Sequence, residues 1–315
     1  MKSDTGTRSI YVLLLVNVVT WGMAWPLSKI GLAFMTPIWY TAFRFIIGSL
    51  VCFLILATAR AVSIPKRQDL PILLGIGVLQ MALYLILVNS GLAFVGAGRS
   101  AILAYSTPLW VTPLAALFFR ETITRLKVIG VLCGLIGVAI LFAPMSLDWS
   151  NKNIVIGNSL LLLSALIGAI SILQIRFSQW HSNPFKLLPW QLLLAAILTL
   201  PVAYYFEPVT HVQWNNTTLW TTLAYNGVLA TAFGYWASIT VFKNIPAVTS
   251  SLCYLGVPVL RLLFSAVMLG ETISASILSA MMLIVSGIAC VALSNASRAK
   301  PASPTPPVSP KIASR

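Results

Sequence analysis

The chain has 315 residues, of which 58% are apolar and only 8% charged, too little polar surface to clothe a soluble globule of this size, so the chain belongs in a membrane. A formal charge of +14 would point to nucleic acid in a soluble protein, but here its meaning depends on where the lysines and arginines fall relative to the apolar runs. Cys52, Cys133, Cys253 and Cys290 all lie inside apolar runs without metal-ligand spacing, which argues against a disulfide framework and a structural zinc site.

Apolar runs long enough to cross a bilayer are read near 10–29, 38–58, 71–94, 100–119, 127–144, 156–176, 187–206, 219–241, 247–268 and 275–295, ten candidate spans. The first follows Lys2 and Arg8 but holds Trp21 and Trp25 where a signal peptidase would need small residues, so it is read as retained. Asn17 and Trp21, four apart on that span, share a face. The second opens on Trp39 and Tyr40, which read as interface anchors, and carries Arg44 about seven residues in. Gln80 and Tyr84 share a face of the third. In the fourth, Tyr105, Ser106 and Trp110 surround Pro108, and Pro113 adds a second break. Gly130, Gly134 and Gly137 give the fifth a small-residue face suited to close helix packing. Gln174 comes late in the sixth, and Tyr235 and Trp236 sit in the eighth. The ninth carries Tyr254, Pro258 and Arg261. The tail at 298–315, with "KPASPTPPVSPKIASR", is basic, rich in proline and serine, and expected to be disordered.

With a cytoplasmic N-terminus, 15 of the 20 lysines and arginines fall in inside segments, three outside (Lys29, Arg99 and Lys152), and two, Arg44 and Arg261, within spans. The positive-inside rule then places both termini in the cytoplasm.

Residues 97 to 141 match 247 to 291 at nine positions at a shift of 150, among them Ala97/Ala247, Ser100/Ser250, Pro108/Pro258 and Glu121-Thr122-Ile123 against Glu271-Thr272-Ile273. That shift divides ten spans into five and five, at 1–147 and 153–297. A unit with an odd number of crossings re-enters the membrane inverted, placing a site near the midplane between the halves. The expected fold is therefore all-α and integral to the membrane, ten transmembrane helices as two inverted five-helix repeats. Glu121 then lies at the cytoplasmic end of span 4 and Glu271 at the periplasmic end of span 9.

No phosphate-binding loop is present; "GAGRS" at 96–100 lacks the lysine and the strand-to-helix context. The six acids (Asp4, Asp69, Glu121, Asp148, Glu207 and Glu271) lie outside or at the edge of a span, and both histidines lie in connecting segments. A carboxylate or histidine proton relay inside the membrane is therefore missing, as is a nucleophile with a base. Against that background the two intramembrane arginines stand out. Both lie about 10 to 12 Å below the periplasmic end, and each must snorkel, bond carbonyls or bind an anionic group. Arg261 aligns with Val111, so it is no part of the repeat. Pro108 and Pro258 share a repeat position; each frees a helix carbonyl, of Ala104 and Tyr254, that needs a partner inside a bilayer.

In order and spacing, "WGMAWPLSKIGL", "AGRSAILAYSTPLWVTPLAALFFRETIT", "GVLCGLIGVAILF", "WQLLLAAILTLP" and "IPAVTSSLCYLGVPVLRLLFSAVMLGETIS" resemble the EamA-type exporters of the drug/metabolite transporter superfamily, over about residues 10 to 295. The resemblance implies a cavity lined by spans 1, 3, 4, 6, 8 and 9, and export of a small organic metabolite, an amino acid or a related carboxylated compound, by alternating access across the bacterial cytoplasmic membrane. On those spans Arg261 is expected to hold a carboxylate, with Tyr84, Tyr105 and Trp236 around the rest of the substrate. Gln80, Trp110, Tyr235, Tyr254, Asn17, Trp21 and Gln174 complete the expected binding set. Pro108 and Pro258 are expected hinges, and Arg44, Glu121 and Glu271 structural residues. Beyond the substrate and the lipid bilayer no partner is expected, nor any cofactor, metal or nucleic acid. The alternatives are import of a vitamin or similar metabolite and, in another class, a membrane enzyme acting on lipid-linked substrates, against which the missing catalytic cluster counts.

Overall fold

A computed structural model describes residues 4–119, 124–143, 148–244 and 253–298, and among these the regular structure is helical, without a strand. The helices are α1 (Asp4–Gly31), α2 (Pro37–Thr58), α3 (Leu70–Leu74), α4 (Tyr84–Phe94), α5 (Ala97–Tyr105), α6 (Thr107–Phe119), α7 (Arg125–Phe142) and α8 (Lys152–Phe177). They continue as α9 (Pro184–Phe206), α10 (Thr217–Ala224), α11 (Gly234–Asn244), α12 (Gly256–Leu269) and α13 (Ala275–Arg298). Local chemistry sets several boundaries. Asn151, Asn183 and Asn216 accept backbone N–H bonds at the starts of α8, α9 and α10, satisfying donors that have no partner within the helix. Gly270, at φ 66°, ends α12 in the left-handed conformation that a residue with a Cβ avoids.

Among the described residues, eight helical stretches are long and apolar enough to span a bilayer. They correspond to the expected spans 1 to 7 and 10, with ends within a few residues of the expected ones. The other two expected spans fall short for different reasons. The helical run of α10 and α11 is long, but Asn226, Tyr225 and several Ser and Thr residues dilute it. Only 14 residues of the ninth form α12, the residues before 253 lying outside those described, with Glu121 and the tail likewise.

Between α3 and α4 the chain winds as a π-helix over Gly75–Leu83, and between α10 and α11 over Tyr225–Phe233. These two segments of nine residues stand 150 positions apart, the register of the sequence repeat. The packing follows the same register. α1 packs on α12 and on the second π segment, as α8 packs on α5, α6 and the first; α2 pairs with α9, and α7 with α13. A Cβ on Gly287 would lie 2.4 Å from the carbonyl oxygen of Gly130 and 3.0 Å from the nitrogen of Gly134, so α7 and α13 meet backbone to backbone. Gly287→Val is therefore expected to destabilise the fold by about 1–3 kcal/mol through overpacking, read as a lower thermal midpoint in detergent. Met282→Leu, at a position 62% exposed on α13, should leave that midpoint unchanged.

Polar clamps tie the helix ends together. Lys29 Nζ donates to the carbonyls of Leu92 (2.5 Å), Ala93 (3.1 Å) and Val95 (2.9 Å), while the Glu271 carboxylate accepts from Ala97 N (2.6 Å) and Gly98 N (2.9 Å). A cation thus sits on the C-terminal carbonyls of α4 and an anion on the N-terminal amides of α5, the favourable sense of each helix dipole. Glu207 accepts from Ile38 N and Trp39 N at the start of α2. At the other ends of the helices Asp69 accepts from His181 N (2.8 Å) and Ser182 N (3.2 Å).

Candidate substrate cavity

Trp21, Trp25 and Ser28 follow one another at helical spacing on α1 and turn the same face inward. They border a cavity in which a water-sized sphere can reach about 180 Å³. Across from them Gln80, in the first π segment, and Tyr84 and Asn89, on α4, form a second wall. Tyr105 ends α5, Ala230 belongs to the second π segment, Tyr235 to α11, and Arg44 and Arg261 reach in from α2 and α12. A π turn shifts the register of the residues after it, and such turns recur at functional sites; here both π segments contribute to the wall.

Arg261 is 7% exposed. Its Nε donates to the Trp21 carbonyl (3.1 Å), and its guanidinium carbon lies 4.6 Å from the Trp25 ring centre and 5.2 Å from that of Tyr105. Stacking of this kind compensates part of the loss of water. Arg44 Nε donates to Thr231 Oγ1 (2.8 Å). Neither arginine forms an ion pair among the described residues, and no acid lines the cavity. Trp21 anchors the arrangement, its Nε1 donating to the Ala230 carbonyl (2.9 Å) and its ring touching those of Tyr235 and Tyr254.

Six residues of the expected binding set thus come together in one cavity: Arg261, Tyr84, Gln80, Tyr105, Tyr235 and Trp21. Arg44, expected as structural, bonds Thr231 and lines the same space. The others lie elsewhere. Asn17 is fully buried beside the cavity and donates to the Gly234 carbonyl (3.2 Å) and the Tyr254 hydroxyl (2.8 Å). Trp110 donates to Ser106 Oγ (3.3 Å), in the break just ahead of its own helix. Trp236 is 44% exposed and packs on Phe185 and Phe233, away from the cavity, because the residue after Tyr235 is rotated by about 100° around the helix. Gln174 Nε2 donates to the Pro71 carbonyl (2.9 Å) at the foot of α3. Trp25, Ser28 and Asn89 are cavity residues absent from the expected set. Trp25 and Ser28 could have been found by extending the Asn17/Trp21 face by the same helical step.

The prolines act differently from simple kinks. The helix stops at Tyr105 and restarts at Thr107, so that Pro108 falls in the first turn of α6, where its missing N–H costs nothing. Pro258 has the same place in α12. The freed Ala104 carbonyl accepts from Thr107 Oγ1 (2.8 Å), and the Tyr254 carbonyl from the Tyr105 hydroxyl (3.1 Å). Tyr105 thereby bridges α5 to the chain just ahead of α12. Tyr105→Phe removes that hydrogen bond and should lower stability by about 0.5–1.5 kcal/mol, measured as a drop in thermal midpoint.

The model of the EamA-like transporter family matches residues 8–143 and 155–293. An uncharacterized transporter of Bacillus subtilis, YoaV, is 29% identical over 287 residues, spanning 89% of this chain and 96% of its own length. A protein of Salmonella typhimurium named "probable amino-acid metabolite efflux pump" is 25% identical over 88% of this chain and 92% of its own. A solved crystal structure shares the fold at a TM-score of 0.63 and 22% identity, covering 93% of this chain and 99% of its own.

Proposed function

The chain belongs to the EamA-like transporter family, multi-pass membrane transporters, and from that premise we propose that it carries a small carboxylated metabolite, an amino acid or a related compound, by alternating access. The observation that carries this reading is the cavity between α1, α2, α4, α5, α11 and α12, which holds two guanidinium groups and, among the described residues, no acid. A carboxylate matches the fork of a guanidinium and supplies the missing counter-charge. The named activity of the Salmonella relative agrees with that chemistry.

In this reading the chain crosses a bacterial cytoplasmic membrane ten times as two inverted five-helix units, with both termini inside, and exports its substrate. Support comes from the 150-residue register of the π segments and helix pairings, and from the distribution of lysines and arginines. Pro108 and Pro258, at the helix restarts, are the points where the two halves would hinge. A cavity without an acid has no side chain to carry a coupled proton, so movement follows the substrate gradient. The test is flux of a panel of labelled amino acids, other carboxylates, vitamins and sugars into proteoliposomes of the purified chain. Carboxylated compounds should move without an imposed proton gradient. Movement of uncharged solutes alone would overturn the substrate class, and an absolute need for a proton gradient would overturn the driving force.

A further inference from the structure

Several of the groups that face this cavity without a protein partner are donors. Arg44 and Arg261 use Nε on the protein and leave their outer nitrogens unpartnered among the described residues. The Tyr84 and Tyr235 hydroxyls line the same space and likewise have no hydrogen-bond partner there. Gln80 Oε1 has no hydrogen-bond partner among the described residues, and its amide adds a polar group to the wall whichever way it is turned. Two of the aromatic faces that could hold an ammonium group are occupied, since the Arg261 guanidinium lies over both Trp25 and Tyr105. A neutral zwitterion would pair its carboxylate with one arginine, leave the other uncompensated and bring an ammonium with no acid among the described residues lining the cavity to receive it. Such a site is costly in a medium of low dielectric.

Resting on the reading of this cavity as a carboxylate site, and narrowing it from neutral amino acids to the related compounds, we propose that its ligand is a small organic dianion without a cationic group, its two negative charges shared between Arg44 and Arg261. Two carboxylates or one phosphate monoester satisfy that description. The available space suits a compound of a few carbons, and the tyrosine hydroxyls and the Gln80 amide supply further donors to its oxygens.

Binding to the purified full-length chain in detergent tests this, read by the fluorescence of Trp21 and Trp25 in the cavity wall and by the shift in thermal midpoint. The probes are succinate, glycerol 3-phosphate, the monoanion butyrate and the zwitterion leucine. Succinate or glycerol 3-phosphate should bind about tenfold or more tightly than butyrate and leucine, and Arg44→Gln should remove most of that advantage. The first two probes distinguish paired carboxylates from a phosphate. Arg44→Lys, which keeps the charge, should retain part of the preference and shows that its loss in Arg44→Gln is not a failure to fold. Butyrate or leucine binding as tightly as succinate and glycerol 3-phosphate would overturn the dianion while leaving the carboxylate site in place. Failure of all four to bind would overturn both.

Discussion

Arg261→Gln is expected to reduce transport of carboxylated substrate about 30-fold or more, the range found when one member of a buried charged pair is removed. The same variant should fold as well as the parent or better. Among the described residues the guanidinium has no anion beside it, and its contacts are the Trp21 carbonyl and two ring faces. Removing it relieves an insertion cost of about 2.5–3.5 kcal/mol, which offsets the lost stacking. A purely structural arginine would show the reverse, a lower thermal midpoint with substrate affinity preserved. Arg261→Lys should fall between, because an ammonium keeps the charge but has neither the planar fork nor the stacking surface.

In the orientation proposed above, Glu271→Gln should open the cavity to the periplasmic side. The Glu271 carboxylate and the Lys29 ammonium hold opposite sides of one short junction, residues 92–98, from the ends of α1 and α12. Hydrogen bonds to a charged group contribute about 1.5–3 kcal/mol each, so loss of one such contact shifts the balance between closed and open states by about tenfold or more. A cysteine placed at Ser28, in the cavity wall, should then react about tenfold faster with a membrane-impermeant thiol reagent added from outside. Lys29→Met should act in the same direction. Unchanged labelling in both variants would show that the clamp is structural and does not gate the cavity.

The helices were legible because a bilayer demands long apolar runs, and the chain supplies them with few interruptions. Arg44 and Arg261 were legible for the opposite reason, as charges where charge is costly. Which face each candidate turns was less accessible. Tyr235 and Trp236 read alike in sequence, yet one faces the cavity and the other packs on Phe185 and Phe233, a choice set by the register that the preceding π segment imposes. The π segments have no plain sequence signature: Gly75 and Gly77 permit the close approach of Gln174 and Leu194, but glycine pairs in membrane helices serve many packings. Proline positions gave the helix breaks, while the partners of the freed carbonyls, Thr107 and Tyr105, followed only from tertiary placement. Glu271 was legible as a helix-end acid; its place on the amides of Ala97 and Gly98 depends on how α12 packs against α5.

Counterflow into proteoliposomes with matched pairs of a carboxylate and its uncharged amide tests the central claim, that this cavity recognises an anionic carboxylate through its arginines. Liposomes preloaded with the unlabelled carboxylate should accumulate the labelled one, the amide should neither compete nor accumulate, and Arg261→Gln should abolish the difference. Equal counterflow of carboxylate and amide by the parent protein would contradict the account.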